Sequence, residues 1–191
     1  MTLAQSVEQF ISNITITDKQ TANISAAYGN LQRTLVNSGN GLYAIKTFQQ
    51  GSYDRDTIIR PLDDIDIFLV LNQSAYFSFN QLENSQSVLT KLRAFLDNQH
   101  DYKGKVKQDR PCVTITLSDK RFDILPCFGD DYYGYKIPAR DLRSWTITNP
   151  VKHSNELTRV NGASSGNIVP AIRAIKHWNR ENGKIIPSYH I

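Results

Sequence analysis

Apolar positions recur along this chain in two rhythms, one of helices and one of strands. Residues 3–13 and 18–37 carry helical spacing, the second with Ile24, Tyr28, Leu31 and Leu35 on one side. Asp18 is placed to cap that helix and Gly39 to stop it. Strands are predicted over 42–49 and 64–71, the latter holding Ile67-Phe68-Leu69-Val70-Leu71, a β-branched and aromatic run suited to a buried strand. A helix over 81–98 carries Val88, Leu89, Leu92, Phe95 and Leu96. Two more strands, 113–117 and 122–125, flank the hairpin turn Ser118-Asp119-Lys120. A mixed segment runs from Gly129 to Gly166, and a last helix over 167–181 sets Ile168, Ile172, Ile175 and Trp178 at the spacing of one face.

Three acids interrupt these apolar runs. Side chains alternate along a strand, so Asp64 and Asp66 share one side while Ile65 and Ile67 take the other. Two carboxylates about 7 Å apart on one strand repel unless a positive charge lies between them. Hard divalent cations such as Mg²⁺ take carboxylate oxygens together with nucleotide phosphates. Asp123, between Phe122 and Ile124, is an acid that is costly to bury without a partner. If its strand lies beside the first, Asp123 faces the side of Asp64 and Asp66, and two ions about 3.5–4 Å apart can be held by the three. Alone, an Asp-x-Asp pair is most often a solvated strand end. The preceding Gly51-Ser52 turn and the later buried acid make the combination far more specific.

Composition changes the picture only modestly. The chain's 191 residues suffice for one domain with a proper core. Cys112 and Cys127 sit in or beside apolar strands and read as reduced thiols rather than a disulfide frame. No stretch approaches a membrane span and the start lacks a signal peptide's pattern, so a cytoplasmic protein without a membrane partner is expected. The net charge of +4 is mild evidence for an anionic partner. Lys103, Lys105, Lys107 and Arg110 read first as a solvated loop; guidance of nucleotides and binding of nucleic acid stay open, though no stacking aromatics accompany them.

The Gly-Ser … Asp-x-Asp … Asp arrangement resembles the polymerase-β-like nucleotidyltransferases. The fuller wording, Gln50-Gly51-Ser52-Tyr53 with Thr57, Ile59-Arg60-Pro61-Leu62 and Asp64-Ile65-Asp66, is similar to their bacterial cGAS/DncV-like branch, the CD-NTases or SMODS enzymes. The similarity continues through Trp145, Thr148-Asn149-Pro150 and His153, then Ile172 to Asn179, and ends in Ser188-Tyr189-His190. It implies an α+β fold, a mixed sheet flanked by helices, with a catalytic core over 1–150. Residues 151–191 would begin a C-terminal helical lobe that is incomplete here.

The resemblance also implies roles. Asp64, Asp66 and Asp123 would be catalytic and hold two Mg²⁺ or Mn²⁺ ions. Gln50, Gly51, Ser52, Lys176, Ser188 and Tyr189 would bind nucleotide, Ser52 and Lys176 at the triphosphate and Tyr189 by stacking on a base. The implied reaction joins NTPs into a cyclic oligonucleotide second messenger for anti-phage defence, with release of pyrophosphate and a downstream effector that responds to the product. Transfer to an RNA or protein acceptor, or an inactive nucleotide-binding fragment, are the alternatives. One position departs from the family: Asp56 stands where relatives commonly have a small residue, often glycine.

Overall fold

The computed structural model of the protein describes residues 2–37, 39, 41–62, 64–78 and 81–186. Helices α1 (Leu3–Ile14) and α2 (Asp18–Leu35) open the chain, each on a capping box. In α2 the cap is Thr17, not Asp18 as the sequence suggested: the Thr17 hydroxyl accepts from the Gln20 amide, and the Gln20 side chain accepts from the Thr17 amide. The helix ends before Gly39, with Val36 as its C-cap.

Strand β1 (Ala44–Gln50) leads into a single helical turn, α3 (Gly51–Asp54), and then to β2 (Asp64–Leu71). A small hairpin, β3 (Phe77–Ser78) and β4 (Gln81–Leu82), follows. This hairpin delays α4 (Ser85–Asp97), which starts four residues later than the apolar spacing predicts, at an Asn84 cap that accepts from the Ser87 amide at 2.9 Å. Next come β5 (Val106–Asp109), β6 (Cys112–Thr116) and β7 (Arg121–Asp130). Lys107 of the expected basic loop therefore lies in a strand. The mixed segment holds β8 (Gly134–Pro138), β9 (Trp145–Thr148) and α5 (Pro150–Ala163), and α6 (Ile168–Glu181) follows.

Seven strands form one mixed sheet in the order β1-β2-β7-β6-β5, with β8 and β9 extending from the far end of β7. Among the described residues, only β2 and β7 run parallel. Their alternation divides the sheet into two faces. Ile65, Ile67, Leu69 and Leu71 of β2, with Phe122, Ile124 and Phe128 of β7, pack against Ile24, Leu31 and Leu35 of α2 and Val88, Leu89, Leu92 and Leu96 of α4. The other face carries Phe68, Val70, Cys127 and Tyr135 in a smaller apolar cluster. Asp64, Asp66 and Asp123 continue that second face toward the start of both strands. Both cysteines are free, Cys127 buried and Cys112 half-buried.

Helix α6 differs from its apolar spacing. Ile175 and Trp178 are 45% and 50% exposed, and the buried positions are Arg173 and Asn179. Both bury polar atoms that find partners: Arg173 bonds to Thr15 and Asp56, and the Asn179 amide bonds to the main chain of Ile186. Hydrogen bonding outweighs hydrophobicity here because it removes the cost of burying the groups. Among the described residues, no helix is long and apolar enough to cross a membrane.

Candidate active site

Register fixes the acids. In the parallel pair β2–β7, Asp66 lies level with Asp123, and Asp64 lies level with Arg121. Adjacent strands are separated by about 4.8 Å, so residues level with each other on one face are near neighbours. Asp123 is held from its other side by β6: Thr114, its register partner there, donates from its hydroxyl to Asp123 Oδ1 at 2.7 Å. Thr114 is fully buried on a strand otherwise apolar at Val113 and Ile115. Gln50 ends β1 level with Asp66 and is buried.

Gly51 follows immediately, and its backbone presses on the same carboxylate. A Cβ at Gly51 would lie 1.8 Å from Asp66 Oδ2, and its φ is +71°, so only glycine fits without displacement. Ser52 sits inside the helical turn rather than in the open turn that a Gly-Ser pair suggests. The Thr57 amide donates to the Ser52 carbonyl at 2.8 Å, folding the loop back on itself. Lys176 reaches this loop from α6, with Nζ 3.4 Å from Thr57 Oγ1. The structure thus brings Gln50, Gly51, Ser52, Asp66 and Lys176 together from three separated stretches of sequence. Ser188 and Tyr189 lie outside the described residues.

Electrostatics mark the same place. Burial, then Asp123, then Asp64 raise the Asp66 carboxyl to about 6, while Arg55 and Lys176 pull it down. A carboxylate this reluctant to ionise marks a site short of positive charge. Arg121 supplies some: its Nη2 donates to Asp64 Oδ2 at 2.5 Å and to Asp123 Oδ2 at 3.2 Å. Burial alone would weaken the guanidinium's hold on its proton, but Asp123, Asp64 and Asp109 outweigh it.

The donor set fits a divalent ion: three carboxylates give hard oxygen ligands on one face, and the cations Arg55 and Lys176 do not outweigh burial and the neighbouring acids at Asp66. The three do not close around one point as they stand. Among the described residues, no group of three or more acidic, histidine or cysteine side chains converges closely enough to hold an ion. Beside the loop lies a cavity of about 370 Å³, lined by Arg55, Asp56, Ser154, Asn161 and Arg173 among others. A larger cavity of about 720 Å³, bordered by Arg33 and Phe95, belongs to the side where α2 and α4 pack, away from the acids. Size is a poor guide here; the acids and the glycine define the site.

Arg121, Thr114, Arg55 and Arg173 are the site's less obvious members. Arg121 had a signal in its spacing of two from Asp123, and Thr114 in being a hydroxyl between two buried aliphatic residues. Arg55 had none, and Arg173 had only its place in the family-like segment Ile172 to Asn179.

Residues 1–161 match the Second Messenger Oligonucleotide or Dinucleotide Synthetase domain, SMODS. The chain is 28% identical over 191 residues to a cyclic AMP-AMP-AMP synthase of an Acinetobacter strain, covering 95% of this chain and 53% of the relative. It is 30% identical over 220 residues to a probable cyclic nucleotide synthase of Bacillus cereus, covering 95% and 66%. The chain therefore spans between about half and two thirds of these curated relatives. Among solved structures, E. coli CdnC with ATP superposes with a TM-score of 0.75 at 16% identity, over 97% of this chain and 61% of that one. Elizabethkingia meningoseptica CdnE, with GTP and Apcpp, gives 0.68 at 19%, over 96% and 71%. Such likenesses at low identity establish the polymerase-β-like fold that the sequence resembled. With the domain match covering most of its length, the chain belongs to the SMODS family of CD-NTases.

Proposed function

We infer that this chain is the nucleotidyltransferase part of a cytoplasmic cyclic oligonucleotide synthase that joins NTPs, releases pyrophosphate and serves anti-phage defence. The observation that carries the reading is the β2–β7 register, which sets Asp66 level with Asp123 beside the Gly51 backbone. The names of the Acinetobacter and Bacillus relatives support a cyclic nucleotide product. Asp64, Asp66 and Asp123 would hold the divalent ions, Mg²⁺ or Mn²⁺. Bound there, such ions activate an attacking hydroxyl and offset charge on the leaving pyrophosphate.

The chain's own residues prepare that chemistry. Thr114 fixes the Asp123 carboxylate so that it meets the attacking ribose hydroxyl in one orientation. Gly51 lets the main chain approach the triphosphate, and Ser52 adds a hydroxyl donor. Lys176 brings a cation to the same loop, where it offsets phosphate charge as the transition state forms. Gln50 holds the end of β1 level with Asp66 and so sets where that loop begins. Residues 151–191 would open a second, helical lobe, with Ser188 and Tyr189 completing the nucleotide contacts.

The test is chromatography and mass spectrometry of products formed from all four NTPs with Mg²⁺ or Mn²⁺, using the full-length gene product. A cyclic oligonucleotide that disappears in both Asp64→Ala and Asp66→Ala is the expected result. Wild-type turnover in either variant would overturn the assignment.

A further inference from the structure

Arg121 is the one basic side chain placed by the sheet itself on the acid face among the described residues of β2 and β7. It stands two residues before Asp123 and level with Asp64, so strand alternation and register both aim it there. One nitrogen, Nη2, serves Asp64 Oδ2 at 2.5 Å and Asp123 Oδ2 at 3.2 Å, with Asp109 Oδ2 of β5 at 3.9 Å. Its Nε is buried without a hydrogen-bond partner. The guanidinium is thus seated for charge, at the expense of one donor.

Asp64 Oδ2 and Asp123 Oδ2 are oxygens that a divalent ion would need. A guanidinium and a divalent cation cannot share them closely, since like charges at contact distance repel strongly where water is partly excluded. We propose that Arg121 is a resident counter-cation that must leave Asp64 and Asp123 for the ion to bind, so that metal loading is an exchange of cations. Asp109 gives the displaced guanidinium a place to go. It already lies at 3.9 Å on the edge strand β5, across β6, so the charge moves from one carboxylate set to another rather than into an unpaired position.

The exchange has a functional consequence. An ion arriving alone has to displace Arg121 using carboxylates only. An ion arriving with an NTP brings phosphate oxygens as further ligands, and the triphosphate offers the freed guanidinium a new anion. Metal binding is therefore weak without nucleotide and strong with it. The site charges itself only when substrate is present.

This inference rests on the acids being the metal ligands, and the experiment separates the two claims. Free Mn²⁺ is measured by electron paramagnetic resonance during titration of nucleotide-free protein, for wild type, Arg121→Gln, Arg121→Lys, Asp109→Asn and Asp66→Asn. Arg121→Gln is expected to bind Mn²⁺ on the order of tenfold more tightly than wild type, the size usual for coupling between two ligands. Arg121→Lys keeps the charge but loses the fork, and should also bind more tightly, by less than the glutamine variant; it decides the matter if the glutamine variant does not fold. Asp109→Asn should bind more weakly, having lost the guanidinium's alternative seat. Unchanged or weaker binding in the Arg121 variants, with Asp66→Asn impaired, would overturn the exchange and make Arg121 a positioning residue for the acids. Wild-type Mn²⁺ affinity in Asp66→Asn would remove the metal reading and the exchange with it.

Discussion

Arg173 holds Asp56 by two atoms at once: its Nε donates to the Asp56 carbonyl at 2.9 Å and its Nη2 to the carboxylate Oδ1 at 2.5 Å. The remaining nitrogen, Nη1, donates to Thr15 Oγ1 at 3.1 Å, just past the end of α1. One buried guanidinium on α6 thus joins three parts of the chain. Asp56 has φ +55°, a left-handed conformation that aspartate tolerates better than most residues. The backbone shape is one that glycine adopts most readily, and the aspartate side chain adds a bond to Arg173.

The clamp matters for the site because Lys176 lies one turn beyond Arg173 on the same helix. Arg173→Ala should lower stability by on the order of 1–3 kcal/mol, the range for losing hydrogen bonds to a charged group. It should also raise the KM for NTP, through a misplaced Lys176. Asp56→Gly keeps the carbonyl acceptor and the backbone conformation, so it should cost under about 1 kcal/mol. Urea unfolding and steady-state kinetics test both. Equal losses in the two variants would mean that the side-chain bond, not the guanidinium's seat, carries the effect.

The acids were legible because strand alternation is local: Asp64, Asp66 and Asp123 declare their face within a few residues of sequence. The same period of two puts Arg121 with Asp123, but only the pairing of β2 with β7 brings it level with Asp64. That pairing joins residues far apart in the chain, and no local pattern encodes it. Much the same holds for α6, where periodicity pointed to Ile175 and Trp178 but burial went to Arg173 and Asn179. Strands β8 and β9 were hidden for another reason. They are short, and Lys136 and Ile147 are exposed, which blurs the apolar rhythm.

Gly51→Ala should all but abolish nucleotide transfer while leaving the core intact. The added methyl would meet Asp66 Oδ2 at 1.8 Å, so either the carboxylate or the loop must move. Displacement of a reacting group by about 1 Å costs on the order of a hundredfold in rate. Alanine also resists the positive φ of +71°. Pyrophosphate release measures the rate, and circular dichroism reports the fold. A rate within a few-fold of wild type would show that the Asp66 position is not critical.

Asp66 also sets a pH dependence for the metal-free protein. Its carboxyl is raised from 3.8 to about 6 by burial, Asp123 and Asp64. Below the lower value it is protonated in both folded and unfolded chains. As pH rises from about 4 to 6 the unfolded chain releases this proton while the fold retains it, so the fold loses relative stability. Above 6 the penalty is complete, at roughly 3 kcal/mol as an upper bound. Asp66→Asn should therefore be more stable than wild type at pH 7 in the presence of a chelator, with the difference shrinking toward pH 4. Urea midpoints at several pH values measure it, and a constant difference would contradict the assignment.

Lys176 faces this acid and, in the proposed function, the nucleotide as well, which makes it the sharpest test of the proposed site. Its Nζ lies 3.4 Å from Thr57 Oγ1, at the loop that holds Ser52, and it lowers the proton affinity of Asp66. Loss of a charge-assisted contact to phosphate is worth about 1.5–3 kcal/mol. Lys176→Ala should accordingly weaken NTP binding by on the order of ten- to a hundredfold. The same substitution removes a cation facing Asp66, so the pH midpoint described above should move upward. Lys176→Arg keeps the charge and should restore the midpoint even where the changed shape leaves NTP affinity low. A purely structural lysine would lower stability without moving the midpoint. NTP titration and pH-dependent unfolding of the two variants distinguish these outcomes, and an unmoved midpoint with unchanged affinity would detach Lys176 from the site.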